Sequence, residues 1–426
     1  MIALSVIDDD PTGAQTEADV PLLLEWPAAA LAHREAAGAV HLLTNSRALD
    51  ETGAYEIVRD ATEAALRGMP ERCVVLRGDS TLRGHLLSEY LAVRDAAFPR
   101  RNPPLVLVPA LPAAGRVTVG GIHWLERDGA RTPIASTEFA CDRRLGYSSS
   151  RLLDWAEERS GGRFAAADGR EVGLAPVRAP DGAELIASAV TELAQAGRPA
   201  ALVPDAETLA DLQVIADGVA AARDRGVELI VRCAPAFVGV AAGTTADGWT
   251  AAPRRGRVLV IVGSHVPMTT RQLEALNRRW PGTLVEVDAA ELASRAPQAA
   301  IAAASASARQ HLSTHGLAAV ATTRDTPAEL LDSGSGMRIA KGLAEILAQT
   351  REDADVIVSK GGITSAVNVR EGLKATEALV VGPLADGVAL WRVGVEGAEV
   401  DVVVFPGNVG DEQALADLVE GLLGVR

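Results

Sequence analysis

Short runs of Val, Ile, Leu and Ala recur along the chain, each followed by a polar or Gly-rich loop and then a stretch of helical period. In the first half they are residues 3–7, 39–44, 72–77 and 105–109; in the second, 257–262, 317–322, 355–359 and 400–405. Continuous apolar runs alternating with helices predict parallel sheets covered on both faces. Between them, Ile186, Ala189, Val190 and Leu193 repeat at helical spacing over 181–196, with Asp181 placed to cap and Gly197 to terminate. Ile57, Val58, Ala61 and Ala65 repeat the pattern over 55–67. The polar segment 243–256, with Gly and Pro, separates the two sets of repeats. The reading is α/β: two α/β domains, residues 1–245 and 256–426, with mainly parallel sheets and a ligand cleft between them.

The chain has 426 residues, 48% hydrophobic and 23% charged, which excludes disordered and collagen-like classes. A net charge of −15 argues against broad contact with nucleic acid or an anionic membrane, and neither partner is expected. Cys73, Cys141 and Cys233 are too scattered for a disulfide framework or a CxxC metal site and are expected as buried apolar residues. The amino-terminal apolar run is too short for a signal peptide, and no run is long enough to span a bilayer, so a cytoplasmic location is expected.

In an open parallel sheet, ligands bind where the carboxyl ends of the strands emerge. The first-half runs end in DDDPTGAQ (8–15), TNSR (44–47), RGDSTLRGH (77–85) and PALPAAGR (109–116). Asp8, Asp9, Asp10, Arg47, Arg77, Asp79, Ser80, Arg83 and Arg116 therefore gather on one rim. Arginines there can fork onto a carboxylate, and an aspartate can take a proton from a hydroxyl or hold magnesium. That suits a small hydroxylated acid. The alternatives are an acidic turn for DDDPTG and a helix cap by Asp79 or Ser80 for a helix beginning near Thr81. His85 and His123 are expected to be structural.

The second-half runs end in GSHVPMTTRQ (263–272), KGGITSAVNV (360–369) and PGNVGDEQ (406–413). Gly turns with short hydroxyls ahead of a helix can cradle phosphate oxygens, although such turns also occur for geometry alone. Neither a GxxxxGK[ST] loop nor a GxGxxG after a strand is present. Lys360 is the lysine positioned to meet a phosphate, or else a solvated loop residue.

The ordered set DDDPTGAQ, TNSR, RGDSTLRGH, the Gly-Gly turn after Ala-Gly-Arg, GSHVPMTTRQ, GGITS and FPGNVG resembles the four-carbon acid sugar kinase family nearly end to end. The resemblance implies an amino-terminal acid-sugar domain and a carboxy-terminal nucleotide domain. It also implies transfer of a phosphoryl group from ATP, with Mg²⁺, to the terminal hydroxyl of threonate, erythronate or a 3-oxo-tetronate; a branched oxo sugar acid also fits. Carried onto this chain, it makes Asp9, Asp10 and Asp79 the catalytic candidates and Ser46, Arg47, Ser80, Arg83 and Gly84 the substrate-binding ones. Arg47 and Arg83 would hold the carboxylate. Ser264, Lys360, Gly361, Gly362, Ile363, Thr364, Gly407, Asn408 and Gly410 become the nucleotide-binding candidates, and the residues for the metal are left open. Two departures stand out: Phe405-Pro406 replaces the Lys-Ser that many members carry before Gly-Asn, and Asp386-Gly-Val-Ala-Leu390 replaces a Pro-Gly-Val-Pro loop. A homodimer is the expected assembly. The rivals are a nicotinamide-dependent dehydrogenase or lyase, and a sensor that binds a sugar acid without turnover.

Overall fold

The apolar runs become strands whose residues are buried almost throughout, as expected for sheets covered on both faces. The computed structural model describes residues 1–32, 34, 37–127, 129–246, 250–325 and 333–423. They divide into two units, Met1–Thr245 and Ala246–Arg426. Within the polar segment 243–256, residues 247–249 lie outside the described residues.

The first unit contains β1 (Leu4–Asp8), β2 (Val20–Leu23), β3 (Ala39–Leu43), β4 (Cys73–Arg77), β5 (Leu105–Val108), β6 (Arg116–Val119), β7 (Ile122–Arg127), β8 (Ala130–Pro133), β9 (Arg170–Val172), β10 (Ala201–Pro204) and β11 (Ile230–Cys233). All but β6, β7 and β8 form a parallel sheet in the order β2-β3-β1-β4-β11-β5-β10-β9. The remaining three make a small antiparallel sheet whose Gly120-Gly121 turn is held by the Asp205 carboxylate, at 2.7 and 2.9 Å from the two amides. Both glycines have positive φ, +64° and +70°, which a two-residue hairpin turn of this kind requires.

The helix Glu51–Gly68 begins earlier than its apolar period suggests, because Asp50 caps it by accepting from the Gly53 amide at 2.8 Å. Asp181 does not cap Gly182–Gln195 as expected. Its backbone (φ −103°, ψ 15°) is not extended, so its side chain makes no cap bond, whereas Gly197 (φ +67°) does close the helix. Tyr90 and Phe164 meet edge to face at 4.8 Å in the core of this unit. Cys73 and Cys233 are buried as anticipated, but Cys141, at the end of the short turn Glu138–Cys141, is exposed.

The second unit contains β12 (Val258–Val262), β13 (Leu284–Val287), β14 (Leu317–Thr322), β15 (Val356–Lys360), β16 (Glu377–Ala385), β17 (Val388–Val395) and β18 (Ala398–Phe405). Their order is β13-β14-β12-β15-β18-β17-β16, parallel as far as β18 and antiparallel beyond it. Asp386-Gly-Val-Ala-Leu390 is therefore not a loop: Asp386-Gly387 turns the chain and Val388–Leu390 starts β17. Among the described residues, no helix is long and apolar enough to cross a membrane.

Candidate active site

β1 lies between β3 and β4, and the chain leaves it toward one side for β2 and β3 before crossing to the other for β4. The carboxyl ends beside such a switch point form a crevice. The loops after β1, β3 and β4 singled out in the sequence emerge there, and the one after β5 lies two strands beyond β4.

Asp8 is buried, with its carboxylate against Arg77 and 2.8 Å from His41 Nδ1, so it anchors the loop rather than facing a ligand. The Pro-Thr-Gly turn closes directly over this pair, since a Cβ at Gly13 would overlap both groups. Asp9 receives two hydrogen bonds from Arg47, at 3.0 and 2.7 Å, and lies 3.1 Å from Arg77 Nη1. Asp10, 16% exposed, accepts from the Thr12 amide at 2.9 Å and lies 3.6 Å from Arg47. Asp79 accepts from the Thr81 amide at 3.1 Å and from Arg83 Nε at 2.7 Å. It closes a turn rather than a helix, because the helix that follows begins only at Leu86.

The two interior aspartates are driven apart electrostatically. Burial pushes the Asp9 carboxyl up to about 7, against the opposing pull of Arg47. Burial also acts to raise Asp79, but Arg47, Arg83 and the Thr81 hydrogen bonds outweigh it and hold Asp79 well below the ordinary carboxylate range. Burial lowers Arg77 to about 9 and His123 to about 4. His123 lies 2.8 Å from the Ser80 carbonyl and 3.0 Å from Thr118, and His85 lies 3.0 Å from the Leu49 carbonyl, consistent with structural roles.

Other expected contacts take a different form. Ser46 is fully buried and donates to Glu89 at 2.7 Å, so it fixes the loop from beneath instead of offering its hydroxyl to a substrate. Arg47 is committed to Asp9, which leaves it poorly placed to hold a substrate carboxylate. Ser80 is buried. Gly84 (φ +138°) is forced by its surroundings, because a Cβ there would run into the Arg232 guanidinium, which itself pairs with Glu89. Glu89 and Arg232 escaped the sequence reading. Arg232 is the penultimate residue of the short strand β11, and the brief apolar run Leu229–Val231 leading into it was the available signal.

In the second unit three Gly turns converge. A Cβ at Gly263 would overlap Thr364, one at Gly407 would overlap Ser264, and Gly361 (φ +121°) packs against both residues. Thr269 Oγ1 lies 2.8 Å from the Gly407 carbonyl and 3.1 Å from Ser264 Oγ, and Gln272 donates to the Val409 and Asp411 carbonyls at 2.9 and 2.7 Å. Thr364 is buried, Ile363 and Asn408 are exposed, and Gly410 (φ +77°) ends the third turn. The Gly263 and Gly361 amides are held by the Lys360 and Phe405 carbonyls, and the short hydroxyls and missing Cβ atoms around them make a cradle with room suited to phosphate oxygens. Its third turn runs on into Asp411 and Glu412, but Glu412 pairs with Arg271 at 2.9 Å and Asp411 accepts from the Gln413 amide at 2.9 Å, so a magnesium ion would be carried chiefly by phosphates and water. Among the described residues no cluster of three His, Cys, Asp or Glu side chains is arranged to hold a metal.

Lys360 is neither a solvated loop residue nor open to a phosphate. It ends β15 directly opposite Phe405 on β18, fully buried, with Nζ donating to the Pro406 carbonyl at 2.6 Å and lying 3.6 Å from the centre of the Phe405 ring. Burial lowers it to about 7. A second cation at the cradle is Arg324, which the sequence reading also missed although it follows β14 by two residues. It donates to the Ser264 carbonyl at 2.7 Å, and its buried Nη1 has no partner among the described residues.

Residues 4–240 match the family model of a sugar-binding N-terminal domain, and residues 259–415 that of a nucleotide-binding C-terminal domain. The chain belongs to the four-carbon acid sugar kinase family. This sugar acid kinase, a phosphotransferase, is 27% identical to a D-erythronate kinase of Heliobacterium modesticaldum over 98% of its own length and 96% of the relative's. It is also 27% identical to a D-threonate kinase of Salmonella typhimurium, over 85% and 78%. A solved structure from Salmonella typhimurium LT2 superposes with a TM-score of 0.72 at 20% identity, covering 98% of the kinase and 99% of that chain. One from Haemophilus influenzae gives 0.66 at 18%, covering 99% and 100%. At these identities the structural likeness is one of fold.

Proposed function

We propose that the protein transfers the γ-phosphoryl group of ATP, with Mg²⁺, to the terminal hydroxyl of a four-carbon sugar acid of the erythronate, threonate or 3-oxo-tetronate class. The acid binds at the carboxyl ends of β1, β3 and β4, and the nucleotide phosphates bind at the Gly cradle with Arg324 as a nearby cation. The observation that carries this reading is Asp9: an aspartate at the switch point, raised by burial to about 7 and set among arginines. A base of that strength suits proton removal from a hydroxyl near neutral pH. The hydroxyl oxygen forms the bond to the γ-phosphorus, its proton passes to Asp9, and the bond from that phosphorus to the departing ADP oxygen breaks. Arg47 holds Asp9 in place, while Asp79 stays anionic and orients Arg83. The metal, when bound, neutralises phosphate charge.

The test is ADP release from Mg-ATP across a panel of four-carbon acids and their 3-oxo forms, with a metal-free control. Release that needs both one acid and Mg²⁺ is expected. No release with any acid would overturn the proposal.

A further inference from the structure

The arginines at this rim are not equivalent. Arg47 is spent on Asp9, Arg77 on Asp8 and Asp9, and Arg232 on Glu89. Arg83 gives Nε to Asp79 and keeps its terminal nitrogens. Arg116 stands apart: among the described residues it has no ion-pair partner, and its Nε is buried without a hydrogen bond. Its position follows from the fold. The turn after β5 closes through Gly115 (φ +68°) and the Leu111 amide, which donates to the Arg116 carbonyl at 2.8 Å, so Arg116 opens β6 beside the end of β5.

Arg116 and Arg83 share one aromatic platform. Their guanidinium carbons lie 5.7 and 5.5 Å from the centre of the Phe139 ring. Each gains a cation–π contact, yet two like charges on one small ring repel, and a buried guanidinium nitrogen without an acceptor is costly. Burial accordingly lowers Arg116, opposed by the charges of Asp79 and Glu138 and helped by those of Arg127 and Arg83. An anion placed against both guanidiniums removes the repulsion and satisfies the orphan donor together.

We infer that Arg116, with Arg83, is the receptor for the carboxylate of the sugar acid, and that Arg116 makes the enzyme choose an acid over a neutral polyol of the same length. The inference rests on the sugar-acid reading above. A neutral tetritol leaves Arg116 unpaired, and sites that bury unpaired polar groups against the wrong ligand discriminate strongly. Arg47, the other arginine the sequence offered for this task, instead positions Asp9.

The test compares the wild type, Arg116→Met and Arg116→Lys with the best sugar acid and with the corresponding tetritol, alongside calorimetric binding of the acid without nucleotide and a thermal melt of each variant. Arg116→Met should raise the acid KM about 100-fold, the size of a lost charge-assisted contact, while leaving the KM for ATP unchanged and speeding the slow turnover of the tetritol, which no longer strands a buried donor. Arg116→Lys should recover part of the acid affinity. An equal fall for acid and tetritol in a folded variant would make Arg116 merely structural and overturn the inference, as would an unchanged acid KM. A wild type that phosphorylates no sugar acid would overturn the functional reading and this assignment with it, whereas an active wild type with an indifferent Arg116→Met variant would overturn this assignment alone.

Discussion

Asp9 and Asp79 sit at adjacent strand ends, yet their surroundings shift them in opposite directions. Asp9 loses more from burial than Arg47 returns, so it titrates near 7; Asp79 gains more from Arg47, Arg83 and Thr81 than burial takes away. A base must be unprotonated to act, so kcat/KM should climb as pH rises through about 7 and level off above it. Asp9→Asn should abolish that rising limb and lower kcat by about 10² to 10⁴, the range for a lost general base. Asp79→Asn should keep the limb while weakening acid binding through Arg83. Lys360 is also lowered to about 7, but it is fully buried in the other unit with its ammonium committed to the Pro406 carbonyl, not to the hydroxyl that Asp9 would serve. Lys360→Met should therefore leave the rising limb in place. A pH–rate profile of the three variants checks the assignment, and a rising limb that survives Asp9→Asn would move the base elsewhere. None of this ordering was legible in the sequence, where three consecutive aspartates look alike; burial and partners distinguish them.

At the scale of elements, what could be read depended on how each segment is buried. Strands covered on both faces, such as β1, β12 and β14, announce themselves as unbroken apolar runs. β16 alternates buried and part-exposed residues and so shows no unbroken run, and β11 is short and ends in Arg232 and Cys233, so its run stops after Leu229–Val231. Glu89 was hidden for a related reason: on the helix Leu86–Ala97 a glutamate is unremarkable until the fold sets it under Ser46. The loops after β1, β3 and β4 were legible because a parallel sheet delivers successive strand ends to one edge. Capping shows the same contrast. Thr208 accepts from the Asp211 amide at 3.1 Å and Asp211 reaches back to the Thr208 amide at 3.0 Å, a complete capping box on Leu209–Asp224. Thr208→Ala should cost about 1 kcal/mol in urea unfolding at neutral pH, with KM for both substrates unchanged. Asp181→Ala, at a cap position where the side chain makes no bond, should cost much less. Equal losses would mean that the Thr208 box adds nothing to the helix.

For the whole molecule, the division of labour implies where each ligand leaves its mark. The net charge of −15 opposes any anion at long range, so under the proposed function the capture of a sugar acid and of ATP falls to short-range arginines and amides. Those groups belong to different compact units, one presenting the rim at 8–15, 44–47 and 77–85 and the other the cradle at 263–269, 360–365 and 405–410. A ligand that binds only the native state stabilises it by about 2.7 kcal/mol at a hundred times its Kd, and exchange of nearby amides slows accordingly. Hydrogen exchange on the intact protein should then show two separate footprints. The sugar acid alone should slow exchange in the three rim segments and around Arg116, and a non-hydrolysable ATP analogue with Mg²⁺ should slow it in the three Gly turns. Protection of the rim by the nucleotide alone, with the Gly turns untouched, would reverse the assignment of ligands to units, because amide protection needs contact or ordering close at hand and nothing in the long-range field of an acidic protein can supply it.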